Sequence, residues 1–156
     1  MAVWANPPRA LELFGSAGVM ALGAEDEAGT GFAFGTTVTG PINARWAIDT
    51  QTLTARLQDR ADYRLRVTLF SPALQYRRGN ERAYWFVGGG PGLHAVSSSG
   101  ANRSSNSTGM NVHGRTGGVF APTSRLLVRG EFFWANRRAI PHLGAMIPVG
   151  VRLGRR

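Results

Sequence analysis

From Leu143 to Leu153 every second residue is apolar (Leu143, Ala145, Ile147, Val149, Val151, Leu153), and Gly144, Met146, Pro148, Gly150 and Arg152 stand between them. A period of two belongs to a strand, whose successive side chains point to opposite faces, so this segment carries one greasy ribbon. The same period recurs along most of the chain, broken by polar turn clusters that are alternately short and longer. No apolar run reaches the roughly 18 residues of a spanning helix. A helical membrane protein is therefore excluded and a β one is not.

Read in order, the first strand spans Ala10 to Gly23 and is followed by the polar turn Glu25-Asp26-Glu27-Ala28-Gly29. A second strand, Thr30 to Thr39, stops at Gly40-Pro41, since proline cannot continue a ladder. From Ile42 to Arg56 the alternation is clearest: Ile42, Ala44, Trp46, Ile48, Thr50 and Thr52 oppose Asn43, Arg45, Ala47, Asp49, Gln51 and Leu53, leaving one face without charge. In the fourth strand Tyr63, Leu65, Val67 and Leu69 oppose Arg64, Arg66 and Thr68, and the pattern runs on past Pro72 to Tyr76. Ala83 to Val96 forms the fifth. Its Val87-Gly88-Gly89-Gly90-Pro91-Gly92 run is no phosphate cradle, because no helix signal follows and no lysine is present; it reads as glycines that admit close backbone approach. Ser97 to Asn111, the longest polar segment, reads as a mobile loop. Val112 to Ala121, Leu126 to Trp134 and the segment after Asn136-Arg137-Arg138 complete eight strands.

A chain of 156 residues with no Pro/Ser-rich linker is one domain. Residues 10–153 form the barrel, between an N-terminal tail at 1–9 and a basic tail at 154–156. Val3-Trp4-Ala5 ahead of Asn6-Pro7-Pro8 has the small residues that signal peptidase cleaves after, so the first tail reads as a signal-peptide remnant or as a chance tripeptide. The formal charge is +9, from 18 arginines and no lysine against nine acids. The arginines alternate with apolar residues instead of forming a block, which argues against nucleic acid as a partner. Cysteine is absent, so neither a disulfide framework nor a thiolate metal site is available.

With eight alternating strands, the chain resembles the small bacterial outer-membrane β-barrel proteins, the OmpA-like and porin-superfamily eight-stranded group. The resemblance rests on Tyr84-Trp85-Phe86-Val87-Gly88-Gly89-Gly90-Pro91-Gly92-Leu93, on Pro122-Thr123-Ser124-Arg125-Leu126-Leu127-Val128-Arg129-Gly130-Glu131-Phe132, and on Gly150-Val151-Arg152-Leu153. It implies an all-β, eight-stranded antiparallel up-and-down transmembrane β-barrel in the bacterial outer membrane. It also implies an assembly signal in the last strand, matched by His142, Gly144, Ile147 and Val149. Members of the family finish on an aromatic residue, whereas this sequence reads Gly154-Arg155-Arg156, and Pro148 removes one ladder hydrogen bond.

Strands can cross hydrocarbon only if the sheet closes on itself, because every N–H and C=O must be paired internally. If the uncharged faces meet lipid, Arg45, Asp49, Arg64, Arg66, Arg129, Glu131 and Arg152 point inward. Eight-stranded barrels are just wide enough for side chains to fill them, so a packed charge network with internal water, and no wide pore, is expected. Arg129 and Glu131, about 7 Å apart along one strand, can pair; Arg45 and Asp49, about 13 Å apart, need partners on other strands. The plain reading of these residues is that they fill and fix the barrel. Trp46, Tyr63, Tyr84, Trp85 and Trp134 are expected in aromatic girdles at the headgroup levels, in contrast to ordinary packing in a soluble core. Arg78, Arg82, Arg125, Arg155 and Arg156 fall near the short turns and the C-terminus, at the periplasmic rim, where anionic phospholipid heads would meet them.

Two rivals compete with a structural or surface-interaction barrel. Alternation alone does not say which face is inside, so a soluble up-and-down barrel binding a small apolar ligand is the alternative. A narrow outer-membrane channel or a lipid-modifying barrel enzyme is the third. For the enzyme, His94 and Ser97 are the close Ser/His pair, with no acidic orienter nearby; a polar filler is the plainer role for such a histidine. No catalytic residue, metal site or cofactor is expected. Partners are expected to be outer-membrane lipid and a protein or surface ligand engaged through the loop at 97–111.

Overall fold

The computed structural model describes residues 10–23, 29–59, 64–100, 103–137 and 140–154. The expectations placed on 1–9, on Tyr63 and on Arg155 and Arg156 fall outside these residues. The strands are β1 (Leu11–Leu22), β2 (Gly29–Pro41), β3 (Trp46–Asp59), β4 (Arg64–Gly79), β5 (Ala83–Gly100), β6 (Arg103–Phe120), β7 (Leu126–Arg137) and β8 (Ile140–Leu153). Each pairs antiparallel with its neighbour in sequence, and β8 returns to β1, so the sheet is a closed barrel without edges. The closing seam runs from Leu11 opposite Leu153 to Leu22 opposite His142.

Side-chain alternation decides which solvent each face meets. Val19, Phe32, Ile48, Leu93, Phe132 and Ile147 are exposed on the outer surface, while Glu12, Asp49, Gln51, Gln75, Arg77, Arg115, Arg129 and Glu131 are buried inside. This corrects the alternative of a soluble ligand carrier, which needs its charged face outward. An outer surface rich in apolar side chains suits hydrocarbon, and the closed ladder leaves no backbone group unpaired at an edge.

The three connections on the side of the chain termini are tight, and each is held by one polar side chain. Asn43 Oδ1 accepts from the N–H groups of Arg45 and Trp46 at 2.8 and 2.9 Å. Asn80 Oδ1 accepts from those of Arg82 and Ala83 at 2.9 and 2.8 Å, and Thr123 Oγ1 from that of Leu126 at 3.0 Å. Asparagine and threonine favour such turns because their short polar groups reach the backbone two or three residues on. At the opposite end β5 and β6, 18 residues each, run on beyond the 12 to 16 residues of the other strands, and by the rule that the long extensions of such barrels are extracellular the end that carries the termini is the periplasmic one.

One expectation about strands is corrected. Ser97 to Asn111 is not a loop: β5 and β6 pair without a break from Ala83 opposite Phe120 to Gly100 opposite Arg103. Polar residues on both faces hide the period of a strand, but a hairpin standing in water needs no apolar face. The ladder breaks elsewhere, between β4 and β5, where pairing stops after Phe70–Leu93 and resumes at Leu74–Gly89. That register sets Pro72 against Pro91, and neither has an N–H to donate. Pro148 likewise falls in the gap between the Val128–Val149 and Glu131–Met146 pairs.

Gly79 closes β4 with φ of 150°, a backbone region that a side chain makes costly. A Cβ there would also lie 2.3 Å from the Ala83 carbonyl oxygen. Gly79→Ala is expected to lower the unfolding free energy by about 1–3 kcal/mol, read as a lower urea midpoint at unchanged slope in tryptophan fluorescence of the barrel in lipid vesicles.

Candidate functional site

The lumen is spanned at two levels by groups reaching across from opposite strands. Nearer the termini, Glu12 on β1 accepts from the Tyr84 hydroxyl on β5, the strand diametrically opposite. Arg152 donates to Glu12 Oε1 through Nε and Nη2 at 3.2 and 3.1 Å, and Arg77 Nη1 lies 3.8 Å from Oε2. Arg152 also donates to the Glu81 carbonyl at 3.1 Å, tying the lumen to the β4–β5 turn.

One level deeper, Asp49 on β3 gathers partners from four strands. Arg129 Nη2 on β7 lies 3.0 Å from Oδ2 and Arg115 Nη1 on β6 at 3.5 Å. Thr39 Oγ1 donates to Oδ1 at 2.9 Å and Gln75 Nε2 to Oδ2 at 3.2 Å. Arg129 also pairs with Glu131 on its own strand, and Gln51 Nε2 donates to Glu131 Oε1 at 2.8 Å. The Arg129 guanidinium lies 3.9 Å from the Phe86 ring centroid and 5.5 Å from that of Phe14, sandwiched where its polar edge still meets carboxylates. Arg115 Nη2 donates to the backbone oxygens of Asp49 and Ser71 at 3.2 and 2.9 Å.

Above this level the lumen holds an apolar cluster contributed by β1, β2, β3, β4, β7 and β8, with Met20, Leu53, Leu57, Leu65, Val67 and Phe133 among its members. All three histidines, His94, His113 and His142, are also buried and point inward. Glycines make room for them: a Cβ on Gly109 would lie 2.9 Å from His94 Cε1, and one on Gly92 3.2 Å from His113 Nδ1. No cluster of metal-ligating residues occurs among the described residues. Ser16 Oγ, Thr37 Oγ1, the Asn111 amide and the His113 ring nitrogens are buried with no protein partner among the described residues, polar positions of the kind internal water fills.

Of the residues expected inside, Asp49, Arg129 and Glu131 are brought into one network, and Arg152 joins the other. Arg45, Arg64 and Arg66 are exposed, which corrects their assignment to the lumen. Arg45 sits in the turn before β3. In β4 the alternation is continuous over the whole strand, so burying Ser71, Gln75 and Arg77 also turns Leu65, Val67 and Leu69 inward and Arg64 and Arg66 out. Tyr84 is likewise corrected from girdle to lumen, since it and Trp85 are consecutive and only one can face lipid. Glu12, Arg77 and Arg115 are network members that sequence reasoning passed over. Counting two-residue steps from the outward Tyr76 and Val112 would have found both arginines.

Outside, Trp46, Tyr76 and Trp85 form a continuous aromatic run across β3, β4 and β5, with ring centroids 5.2 and 5.8 Å apart. Trp134 is exposed toward the opposite end, and Arg78, Arg82 and Arg125 are exposed around the turns. In the last strand His142 is buried inside, while Ile147 and Val149 face outward. His94 points inward and Ser97 outward, three residues apart on one strand, so they cannot form a catalytic pair. Gly100 lies fifteen residues beyond Trp85, about 39 Å along the membrane normal at ~3.4 Å per residue and a tilt of ~40°. A hydrocarbon belt is about 25 Å tall, so the β5–β6 hairpin projects well beyond it.

A closed ladder, an aliphatic and aromatic exterior and an ion-paired lumen define an eight-stranded transmembrane β-barrel of the bacterial outer-membrane type. Solved structures share this architecture. Neisserial surface protein A matches with a TM-score of 0.80 over 92% of this chain and 97% of its own, at 11% identity. Ail, the attachment invasion locus protein of Yersinia pestis, matches at 0.65 over 91% and 98%, with 14% identity. The N-terminal barrel domain of Pseudomonas aeruginosa OprF matches at 0.66 over 88% and 97%, with 11% identity. No protein-family model matches the sequence, and no curated protein does. What these chains share at such identities is the fold, and the exterior of this one fits the bacterial outer membrane.

Removing one member of the Asp49 network leaves buried charge behind. Asp49→Ala takes the carboxylate partner from Arg115 and leaves Arg129 with Glu131 alone, and is expected to cost about 3–5 kcal/mol. Asp49→Ala combined with Arg129→Met is expected to cost less than the sum of the two single changes, measured as a double-mutant cycle of urea unfolding in vesicles.

Proposed function

We propose that this outer-membrane barrel is a non-enzymatic surface-interaction protein, with its specificity in the polar hairpin at 97–111 and its barrel as a rigid mount. The projection of that hairpin past the membrane carries the reading. Ser97, Ser99, Ser104, Ser105, Asn106 and Thr108 are exposed along it, and Ser98 Oγ donates to the Ser105 carbonyl at 3.4 Å. A paired hairpin offers a preordered row of hydroxyl and amide groups, which lowers the entropic cost of binding relative to a free loop. The cross-lumen ion pairs support a mount and argue against a channel, because they fill the cross-section that a solute would need.

The neighbour Ail is named for attachment and invasion, and one of its structures holds the heparin analogue sucrose octasulfate, which supplies a probe. Exchanging residues 97–108 for a short Gly-Ser turn should leave a barrel that still changes gel mobility on boiling. The full chain, displayed on cells, is expected to be retained on immobilised heparin and the trimmed chain is not. Equal retention of the two removes the hairpin from the assignment.

A further inference from the structure

Arg56 on β3 and Arg66 on β4 lie directly opposite one another in the ladder and both point outward. Arg64, two residues further along the same face, is exposed as well. Like charges facing across a strand pair, with Cβ atoms about 4.5–5.5 Å apart, repel. Among the described residues no carboxylate pairs with any of the three; the ion pairs there all lie in the lumen. The outward neighbours in the same rungs are Phe32 opposite Arg56, Ser97 opposite Arg66 and Ser99 opposite Arg64, an aromatic ring and two further hydroxyl donors.

The height of this group is what gives it a ligand. Arg56 is ten residues from Trp46, and Arg66 ten from Tyr76, the two residues that begin the aromatic run at the periplasmic side. Ten residues rise about 26 Å along the membrane normal, at ~3.4 Å each and a tilt of ~40°, against a hydrocarbon belt of about 25 Å. The guanidinium groups therefore stand at the outer headgroup level. On the same face the next rung down is the hydroxyl pair Thr54 and Thr68, flanked and followed by exposed apolar side chains, with Phe34 opposite Thr54 and Phe70 opposite Leu93. Guanidinium forks at the headgroup level with aromatic and aliphatic side chains beneath them suit a phosphate-bearing lipid held against a wall.

We propose that Arg56 and Arg66, extended by Arg64, clamp the phosphate groups of a lipid in the outer leaflet, with its acyl chains lying over Phe34, Phe70 and Leu93. The bound phosphates relieve the repulsion between the facing arginines and fix the barrel's depth. The site adjoins the base of the hairpin at Ser97 and Ser99, but the clamp is made by arginines of β3 and β4 and does not rest on the reading of that hairpin as a ligand-binding element.

The test uses the full chain in detergent with bisphosphorylated lipid A and the same lipid stripped of its phosphates, scored by native mass spectrometry. The natural chain is expected to retain the phosphorylated form roughly tenfold better, the scale of losing one or two charge-assisted contacts. R56Q/R66Q, shown to be folded by its heat-dependent gel mobility, is expected to lose that preference. R78Q/R125Q, at the opposite rim, is expected to keep it. Equal retention of the two lipids by the natural chain overturns the proposal, as does a preference that survives R56Q/R66Q. So does an equal loss in R78Q/R125Q, which would make the effect one of net charge.

Discussion

A peptide group in hydrocarbon has no water to bond, so each strand must find its neighbour along its whole length and the last must find the first. Closure is the constraint from which the rest of this structure follows. Once β8 meets β1 there is no edge, and within the membrane each strand residue meets either lipid or lumen. The ladder tolerates interruption only where donors are missing, as where Pro72 faces Pro91 by the register on either side. A short gap of that kind, flanked by continuous pairing, leaves the cylinder intact.

The lumen then has to be filled by side chains that differ from those outside, or the register would not be defined. Four guanidiniums (Arg77, Arg115, Arg129, Arg152) and three carboxylates (Glu12, Asp49, Glu131) meet there. Buried ion pairs contribute little net stability compared with apolar packing; their physical value here is specificity. A slip of one residue in β7 would turn Arg129 and Glu131 into lipid, and a cation at the bilayer midplane costs about 2–4 kcal/mol. Register errors are thereby penalised far more than they would be by leucine and valine alone. Further from the termini the apolar cluster around Leu65, Val67 and Phe133 fills the lumen by packing instead.

Architecture was legible wherever one face was uniformly apolar. In β3, β7 and β8 the outward residues Ile48, Phe132 and Ile147 alternate with inward polar or small ones, and the face follows directly. β4 was misread because its outer half reverses the rule: Leu65 and Val67 look like lipid-facing residues and Arg66 like a luminal one. Only the continuity of the strand down to Gln75 and Arg77 resolves the parity, and that is a fact about the whole strand. Residues 97–111 were misread for a different reason. Where both faces meet water the two-residue period vanishes, so a hairpin and a loop have the same composition. The partners of Asp49 were hidden as well, since Arg115, Arg129, Thr39 and Gln75 come together only when the cylinder closes.

The two rims of the barrel differ in kind, and the difference bears on how the molecule is used. At the end that carries the termini, Asn43, Asn80 and Thr123 each tie a turn down with side-chain hydrogen bonds. At the other, β5 and β6 continue their pairing into a polar ribbon, and arginines stand outward at the level where apolar side chains give way. Ordering a ribbon that far from any core has no folding benefit, because its hydroxyls and amides bury no apolar area. It is maintained by backbone pairing templated from the barrel below, so the rigidity of the ion-paired lumen is transmitted to the tip. A slip in register would shift that ribbon by a whole residue step, and the luminal charges penalise it.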